Sequence, residues 1–212
     1  MEDKDRELQE FWRKNLKLPY KLTKEEILRF WLLGSKPYRI RPETVKKYSE
    51  KFNIHFLIET GTYQGAMVEA NLNNFTKIIS IELEENLYKA AKLKFSNYPH
   101  VKILYGDSAK VLRKILKFIH VPCIFWLDGH YVPDSLDTAR GESDTPIMEE
   151  LNQILSHHVR NHVILIDDAR CFIGPNTVLN DYPTIQELRT FVSNKRPDLK
   201  FQVEDDIIRI HP

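Results

Sequence analysis

Short apolar runs alternate with amphipathic segments along most of the chain, from about residue 54 onward. The apolar runs predict buried strands at residues 54–59, 77–82, 101–104, 122–128 and 162–167. Apolar positions at helical spacing predict helices near residues 65–73, 84–96, 108–118, 146–158 and 183–193. Strands that alternate with helices in this way are typical of βα units. We therefore predict an α/β fold on a mostly parallel sheet.

The end of the chain departs from this alternation. Residues 201–210, FQVEDDIIRI, hold two apolar runs on either side of Glu204, Asp205 and Asp206. The gap is too short for a crossover helix, so the two runs are expected to pair antiparallel as a hairpin. Together with the five earlier strands they complete a predicted sheet of seven strands.

The first part of the chain, residues 1–53, is predicted to be a helical extension in front of one domain at residues 54–212. Pro42 is placed to open a helix of about ten residues. Val45 and Tyr48 are expected to turn toward the core from one face of that helix.

This extension is locally basic. Between Phe11 and Arg41 there are nine Lys or Arg residues and two acidic ones, with aromatic residues interleaved. Thr23 and Glu26 have the spacing of a capping box in front of a short amphipathic helix. The segment could bind an anionic partner, but we favour a packed helical flap whose charged rim is solvated.

Composition narrows the classes of function. Over 212 residues, 31 Lys+Arg against 30 Asp+Glu give a formal charge of +1, which argues against a nucleic-acid coat or a polybasic membrane binder. The polar start, MEDKDRELQE, does not match a secretory signal, and no apolar stretch is long enough to span a membrane. Cys123 and Cys171 lie in or beside apolar runs, which predicts buried, reduced thiols. We expect a cytoplasmic protein without a membrane partner.

The glycines are placed unevenly. Six of the seven follow predicted strands, and these are Gly61, Gly65, Gly106, Gly129, Gly141 and Gly174. Those segments share the carboxyl edge of the sheet, where open α/β folds bind their ligands. Glycine also marks ordinary turns. We favour a ligand site because the turns at the opposite edge contain none.

The loop after the first strand reads Glu59-Thr-Gly61-Thr-Tyr-Gln-Gly65. Glycines in such a turn allow a close approach to a ligand, and the following helix offers unpaired N–H groups. Glu59 would repel a pyrophosphate but could pair with an ammonium group of a ligand. The spacing also differs from the G-x-G-x-x-G of dinucleotide sites, and a plain strand-to-helix turn remains an alternative.

Acidic residues follow the next two strands. Glu82 ends the second strand, where a carboxylate can accept hydrogen bonds from the ribose hydroxyls of a nucleoside. Asp107 and Ser108 follow the third strand. Asp107 could hold an adenine amino group or could only cap the next helix.

Taken in order, these three motifs resemble the nucleoside-binding edge of class I S-adenosylmethionine-dependent methyltransferases, over residues 54–210. The resemblance implies a Rossmann-like methyltransferase fold. It also implies the site residues: Glu59, Gly61 and Gly65 against the methionine moiety, Glu82 at the ribose, Asp107 with Ser108 at the adenine, and Asp128 as a further cofactor-binding residue.

Two further strands end in aspartates. Asp128 follows the fourth strand, and Asp167 and Asp168 follow the fifth. Carboxylates at one sheet edge suit Mg²⁺, Ca²⁺ or Mn²⁺. The arrangement resembles the catechol-type O-methyltransferases, whose Asp-Asn pair is here Asp-Asp, and the macrocin O-methyltransferase-like group, which methylates sugar hydroxyls. The resemblance implies a metal on these three aspartates. The alternative is that they cap helices or bind Arg140 and Arg170.

Histidines are assigned different roles. His130, two residues beyond Asp128, is predicted to be the general base, because imidazole titrates near neutral pH. Its alternatives are a metal ligand or a loop residue bonded to Asp144. His157, His158 and His162 are not expected to bind metal, since they stand where cationic side chains favour a helix end.

These features together predict methyl transfer from S-adenosylmethionine to a hydroxyl of a small molecule, assisted by a divalent cation, with His130 and Asp128 as catalytic residues. A homo-oligomer is a possible assembly, and nucleic acid is disfavoured as a partner. Two rivals remain. One is a nucleotide-sugar transferase with an acid-bound metal, and the other is a non-catalytic interaction module that retains the fold.

Overall fold

A computed structural model describes residues 41–129, 141, 145–175 and 182–212. The strands of this part are β1 Phe56–Thr60, β2 Lys77–Glu82, β3 Val101–Tyr105, β4 Ile124–Leu127, β5 Val163–Ile166, β6 Lys200–Glu204 and β7 Ile207–His211. Its α-helices are α1 Pro42–Phe52, α2 Ala66–Asn71, α3 Glu85–Lys94, α4 Ser108–Ile115, α5 Ile147–Leu155 and α6 Ile185–Lys195. Single 3-10 turns lie at Leu116–Phe118 and Ala169–Cys171.

The strands form one sheet in the order β3-β2-β1-β4-β5-β7-β6. The first five strands along the chain are parallel, and β7 is antiparallel to both β5 and β6. The predicted seven-stranded, mostly parallel sheet with a C-terminal antiparallel hairpin is therefore confirmed. Strand order reverses between β1 and β4, and open α/β sheets bind their ligands at the carboxyl ends of the strands at such a point.

Helices cover both faces of the sheet, and β1 contributes buried side chains to both faces. Leu57 packs with residues of α1, α2 and α3, whereas Ile58 packs with residues of α4, α5 and α6. Both side chains are fully buried. Successive side chains of a strand point to opposite faces, so a continuous apolar run is what a doubly covered parallel strand requires.

The predicted helix at Pro42 is confirmed. Proline lies in its first turn, and Asn53 ends it in the left-handed conformation with φ 52°. Val45 and Tyr48 are buried against the sheet, as their spacing predicts. The amphipathic helix expected after Thr23 lies outside the described residues, and the boundary at residue 53 stays a prediction.

The predictions for the two cysteines and for the fourth strand are confirmed, the latter with shorter bounds. Cys123 and Cys171 are buried free thiols, as expected. The strand predicted at 122–128 spans Ile124–Leu127, and Pro122 has no N–H to offer to the ladder. Within the described ranges, no helix is long and apolar enough to cross a membrane.

Candidate functional site

Loops after four neighbouring strands are tied together at the carboxyl edge of the sheet. The N–H of Gly61 donates to the carbonyl of Ile81 (3.0 Å), and the N–H of Asp128 donates to that of Thr60 (3.0 Å). The N–H of Gly106 donates to the carbonyl of Glu82 (2.8 Å). The four segments that sequence analysis singled out therefore meet at one edge.

The glycines of the loop after β1 are required by packing. Gly61 has φ +84°, and a Cβ there would clash with the backbone carbonyl of Asp128. Gly65 has φ +75°, and its Cβ would lie 2.6 Å from the Phe95 ring. Contacts within the protein are thus sufficient to explain both glycines. Their closeness to a ligand stays a prediction, and substituting either one would strain the fold as well as the site.

Glu82 braces this loop. Its carboxylate accepts hydrogen bonds from the N–H of Tyr63 (2.7 Å) and the N–H of Glu84 (2.9 Å). Burial raises the pKa of Glu82, while the backbone N–H bonds oppose the rise. The acid after β2 is therefore held against the glycine loop, where sequence analysis places a ribose.

Glu59 has a partner inside the protein. The Ser80 hydroxyl lies between the Glu59 carboxyl, to which it donates, and the Thr62 hydroxyl, 2.5 Å away. Burial raises the pKa of Glu59 to about 8, against the opposing effect of Ser80. Burial therefore favours the protonated form of Glu59, and its predicted pairing with a ligand ammonium group stays a prediction.

Asp107 has the capping role that was one of its two alternatives. Its carboxylate accepts from the N–H of Ala109 (3.0 Å) and from that of Lys110 (3.4 Å), which fixes the start of α4. The Asp107 side chain is about one-fifth exposed, at 21%. Ser108, the first residue of α4, is buried at the same edge. Contact of either residue with adenine stays a prediction.

Two arginines pair with the aspartates after β5. Arg41 Nη1 lies 2.9 Å from Asp167 Oδ1, and Arg170 Nη1 lies 2.5 Å from Asp168 Oδ1. Asp206, from the β6–β7 turn, contacts Arg170 and lies 3.9 Å from Arg41 Nη2. Burial and Asp168 raise the pKa of Asp167, although Arg41 opposes the rise. Three carboxylates and two guanidinium groups thus form one charge cluster.

This cluster does not fit a divalent cation as it stands. Aspartate oxygens are suitable donors for Mg²⁺ or Mn²⁺, and Asp128 follows β4 beside β5. However, Asp167 and Asp168 each already bind a guanidinium group. Among the described residues, no group of three or more His, Cys, Asp or Glu is arranged to hold a metal. The described residues therefore do not show the metal that the sequence resemblance implies on Asp128, Asp167 and Asp168.

We expect Mn²⁺ at submillimolar concentration not to bind the protein, because binding must displace two arginines. Titration followed by electron paramagnetic resonance measures this directly. Arg41→Gln removes the guanidinium group from Asp167 and is expected to increase Mn²⁺ affinity. Binding of one equivalent by the wild type, with loss of that binding in Asp168→Asn, would show that the metal site exists.

The histidines divide into two groups. His130, the predicted base, lies outside the described residues, as do Arg140 and Asp144. The N–H of Cys123 donates to His162 Nδ1 (3.0 Å). His162 Nε2 therefore carries a proton and donates to His157 Nδ1 (2.8 Å), and His157 Nε2 donates to the Leu116 carbonyl (2.9 Å).

Burial lowers the pKa of His162 to about 3 and also lowers that of His157. These two side chains are therefore neutral links in a buried chain of hydrogen bonds. The expectation that they act as cations at a helix end is wrong. Their charge would be lost on burial because the low dielectric of the interior disfavours the protonated ring.

The contacts of Asp206 and the burial of Glu150 were not predicted from the sequence. Asp206 was treated only as a turn residue of the hairpin, and nothing local indicates that it contacts Arg170. Glu150 did leave a signal. It falls at helical spacing with Ile147, Leu151 and Ile154, so it stands on the apolar face of α5. An acid on such a face is costly unless it has a specific partner.

Comparisons with known proteins agree on the fold. No protein-family model and no curated protein matches this sequence. Methyltransferase PaMTH1 of Podospora anserina, bound to S-adenosylhomocysteine, shares 15% identity over 99% of this chain and 87% of its own, with a TM-score of 0.56.

Two further solved structures give the same result. An O-methyltransferase of Bacillus cereus in complex with S-adenosylhomocysteine shares 14% identity over 97% of both chains, with a TM-score of 0.54. The O-methyltransferase TomG of Streptomyces achromogenes, in complex with S-adenosylmethionine, shares 15% identity over 98% of this chain and 87% of its own, with a TM-score of 0.55. The chain thus has the Rossmann-like fold of class I S-adenosylmethionine-dependent methyltransferases, as the sequence resemblance implies.

Proposed function

We propose that this protein transfers a methyl group from S-adenosylmethionine to a hydroxyl group of a small molecule. The observation that carries the proposal is the position of Glu82, whose carboxylate is fixed by the N–H of Tyr63 in the glycine loop. An acid at the end of β2, held beside a glycine-containing loop after β1, suits the ribose of a nucleoside. O-methyltransferases among the solved structures of the same fold support the oxygen acceptor.

The residues of this sheet edge would each contact a different part of the cofactor. Glu82 would accept hydrogen bonds from the ribose hydroxyls, and Asp107 with Ser108 would face the adenine. Glu59 and the loop through Gly61 and Gly65 would face the methionine moiety. S-adenosylmethionine supplies a methyl group on a positively charged leaving group. The protein has mainly to align the two reactants and to remove a proton from the acceptor.

Removal of that proton is assigned to His130, which follows Asp128 by two residues in the sequence. Positioned proton transfer typically contributes about 10² to 10⁴-fold to a rate. The proposal does not include assistance by a divalent cation, because Asp167 and Asp168 pair with Arg41 and Arg170.

Binding of S-adenosylhomocysteine tests the proposal. Calorimetry is expected to show one site, and the ligand should raise the melting temperature by mass action. Glu82→Gln should weaken binding by about tenfold to a hundredfold, because a charged acceptor contributes about 1.5–3 kcal/mol per hydrogen bond. Glu85→Gln is the matched control, since this acid begins α3 close by and is exposed, where it pairs with Lys89 (2.6 Å).

The same titration separates the rivals. A nucleotide-sugar transferase would bind a uridine diphosphate sugar in place of S-adenosylhomocysteine. A non-catalytic module would bind neither ligand. No heat with S-adenosylhomocysteine up to about a millimolar, which corresponds to an affinity of only about −4 kcal/mol, would rule out the methyltransferase function.

A further inference from the structure

A single acid lies buried on the inner face of α5. Glu150 is 1% exposed, while its neighbour Glu149 is turned outward and pairs with Arg113. Ile147 and Leu151 are buried on the same face as Glu150. Placing a carboxyl group among apolar side chains costs free energy, so its position calls for a function or a partner.

The neighbours of Glu150 belong to the nucleoside edge. The Ser108 and Thr60 hydroxyls lie close enough to lower its pKa, although burial, together with Asp107, raises the pKa overall to about 7. A Cβ on Gly129 would lie 3.2 Å from Thr60 Oγ1 and 3.5 Å from Ser108 Oγ, so the two hydroxyls share one small space behind the loop after β4.

The polar groups in this space are incompletely satisfied. Within the part of the chain that the structure describes, neither Glu150 Oε1 nor Thr60 Oγ1 completes a hydrogen bond of ordinary geometry. Buried oxygens without partners are rare in proteins and indicate that a hydrogen can be redistributed there or that a further group binds. Ser108 is the member of this group that sequence analysis assigned to adenine.

We propose that Glu150 is a positioning residue that acts through Ser108 and sets whether the Ser108 hydroxyl can donate a hydrogen bond to the adenine of the cofactor. This inference rests on the proposed function, since it deepens the account of the same nucleoside site. Glu150 itself, at the back of the site, need not touch the ligand.

The direction of the effect follows from hydrogen-bond chemistry. An ionised carboxylate only accepts, so the Ser108 hydrogen points toward Glu150 and away from the ligand. A protonated Glu150 can donate to the Ser108 oxygen, which frees the serine hydrogen. The ring nitrogens of adenine are acceptors at neutral pH. Protonation of Glu150 therefore favours nucleoside binding, and ionisation opposes it.

Charged groups around Glu150 come from each element that packs near it. Asp107 at the start of α4 disfavours ionisation of Glu150. Asp128 precedes Gly129 at the end of β4, and Arg113 of α4 pairs with Glu149 on the outer side of α5. On α6, Lys195 reaches Ser156 at the far end of α5 (3.1 Å).

The test compares the wild type with Glu150→Gln. A glutamine has the shape of the protonated acid and can donate at every pH. We expect the dissociation constant of S-adenosylhomocysteine for the wild type, divided by that for Glu150→Gln, to rise about tenfold between pH 6 and pH 8.5. Taking this ratio cancels the titration of the ligand and of Glu59, which both proteins share.

A second comparison shows whether the effect passes through Ser108. In the Ser108→Ala background, Glu150→Gln is expected to leave the pH profile of the affinity unchanged, as a double-mutant cycle would report. If Glu150→Gln does not fold, the dissociation constant of the wild type divided by that of Ser108→Ala should rise over the same pH range. The inference about Glu150 is wrong if the wild type and Glu150→Gln have parallel pH profiles of affinity. It is also wrong if Glu150→Gln still changes the profile in the Ser108→Ala background. Either result leaves the proposed function standing. Failure of the wild type to bind S-adenosylhomocysteine at any pH would overturn both the inference and the proposed function.

Discussion

Replacing Asp206 with alanine is expected to lower the free energy of unfolding by about 3–5 kcal/mol, the usual cost of removing one partner from a buried ion pair. The Asp206 side chain is fully buried and contacts the Arg170 guanidinium. It also accepts a hydrogen bond from the N–H of Arg170 (2.9 Å), while its own carbonyl accepts from the N–H of Ala169 (2.8 Å). Its loss leaves Arg170 with less compensation inside the protein.

Asp205→Ala is the matched control for this experiment. Asp205 precedes Asp206 in the same turn and shares its left-handed backbone, with φ 51° against 64°. Its side chain is 65% exposed and pairs with Arg209 (3.2 Å). Arg209 is buried but keeps a second partner in Glu204, so Asp205→Ala is expected to lower the free energy of unfolding by less than Asp206→Ala. Denaturant titration measures the free energy of unfolding of both variants. The prediction is contradicted if Asp206→Ala loses no more stability than Asp205→Ala.

Glu59→Gln is expected to make the protein less sensitive to rising pH. Burial raises the pKa of Glu59 from an ordinary value of 4.5 to about 8 in the folded state. Between these values the folded state keeps a proton that the unfolded state releases. The wild type therefore loses up to about 1.4 kcal/mol of stability per pH unit through this group, a loss on the order of a few kcal/mol by pH 8. Glutamine has no proton to lose.

Unfolding free energies of both proteins at pH 5 and pH 8 test this prediction. The free energy of unfolding of Glu59→Gln minus that of the wild type should increase as the pH rises. Glu50→Gln provides the control, because this carboxyl is exposed on α1 beside Lys46 (3.9 Å) and is screened by solvent. Equal pH dependence in the wild type and Glu59→Gln would mean that Glu59 is ionised in the folded protein.

The parallel strands could be placed from sequence with errors of two residues or fewer. Strand β2 was predicted at 77–82 and spans Lys77–Glu82. The hairpin of β6 and β7 followed from the short gap between two apolar runs. These predictions depend on the spacing of apolar side chains along a short segment, which reports directly on whether that segment is covered on one face or two.

The candidate site was determined only in part by the sequence. The chain order of Glu59, Glu82 and Asp107 after successive strands was enough to predict that they meet at one edge, because parallel strands bring their carboxyl ends together. The cap that Asp107 makes on α4 was one of two alternatives, because its partners are the nearby N–H groups of Ala109 and Lys110. Ser80, the partner of Glu59, was not predictable, because it lies 21 residues further along the chain.

The sequence by itself determined the α/β class, the sheet edge that carries the acids and the resemblance to methyltransferases. The tertiary structure decided which charges neutralise one another. Arg41 pairs with Asp167 across 126 residues of chain, and Arg170 with Asp206 across 36. Apolar periodicity is a local property that a short window reveals. Ion pairing and pKa shifts depend on distance and burial in three dimensions, which are set only after remote segments have packed together.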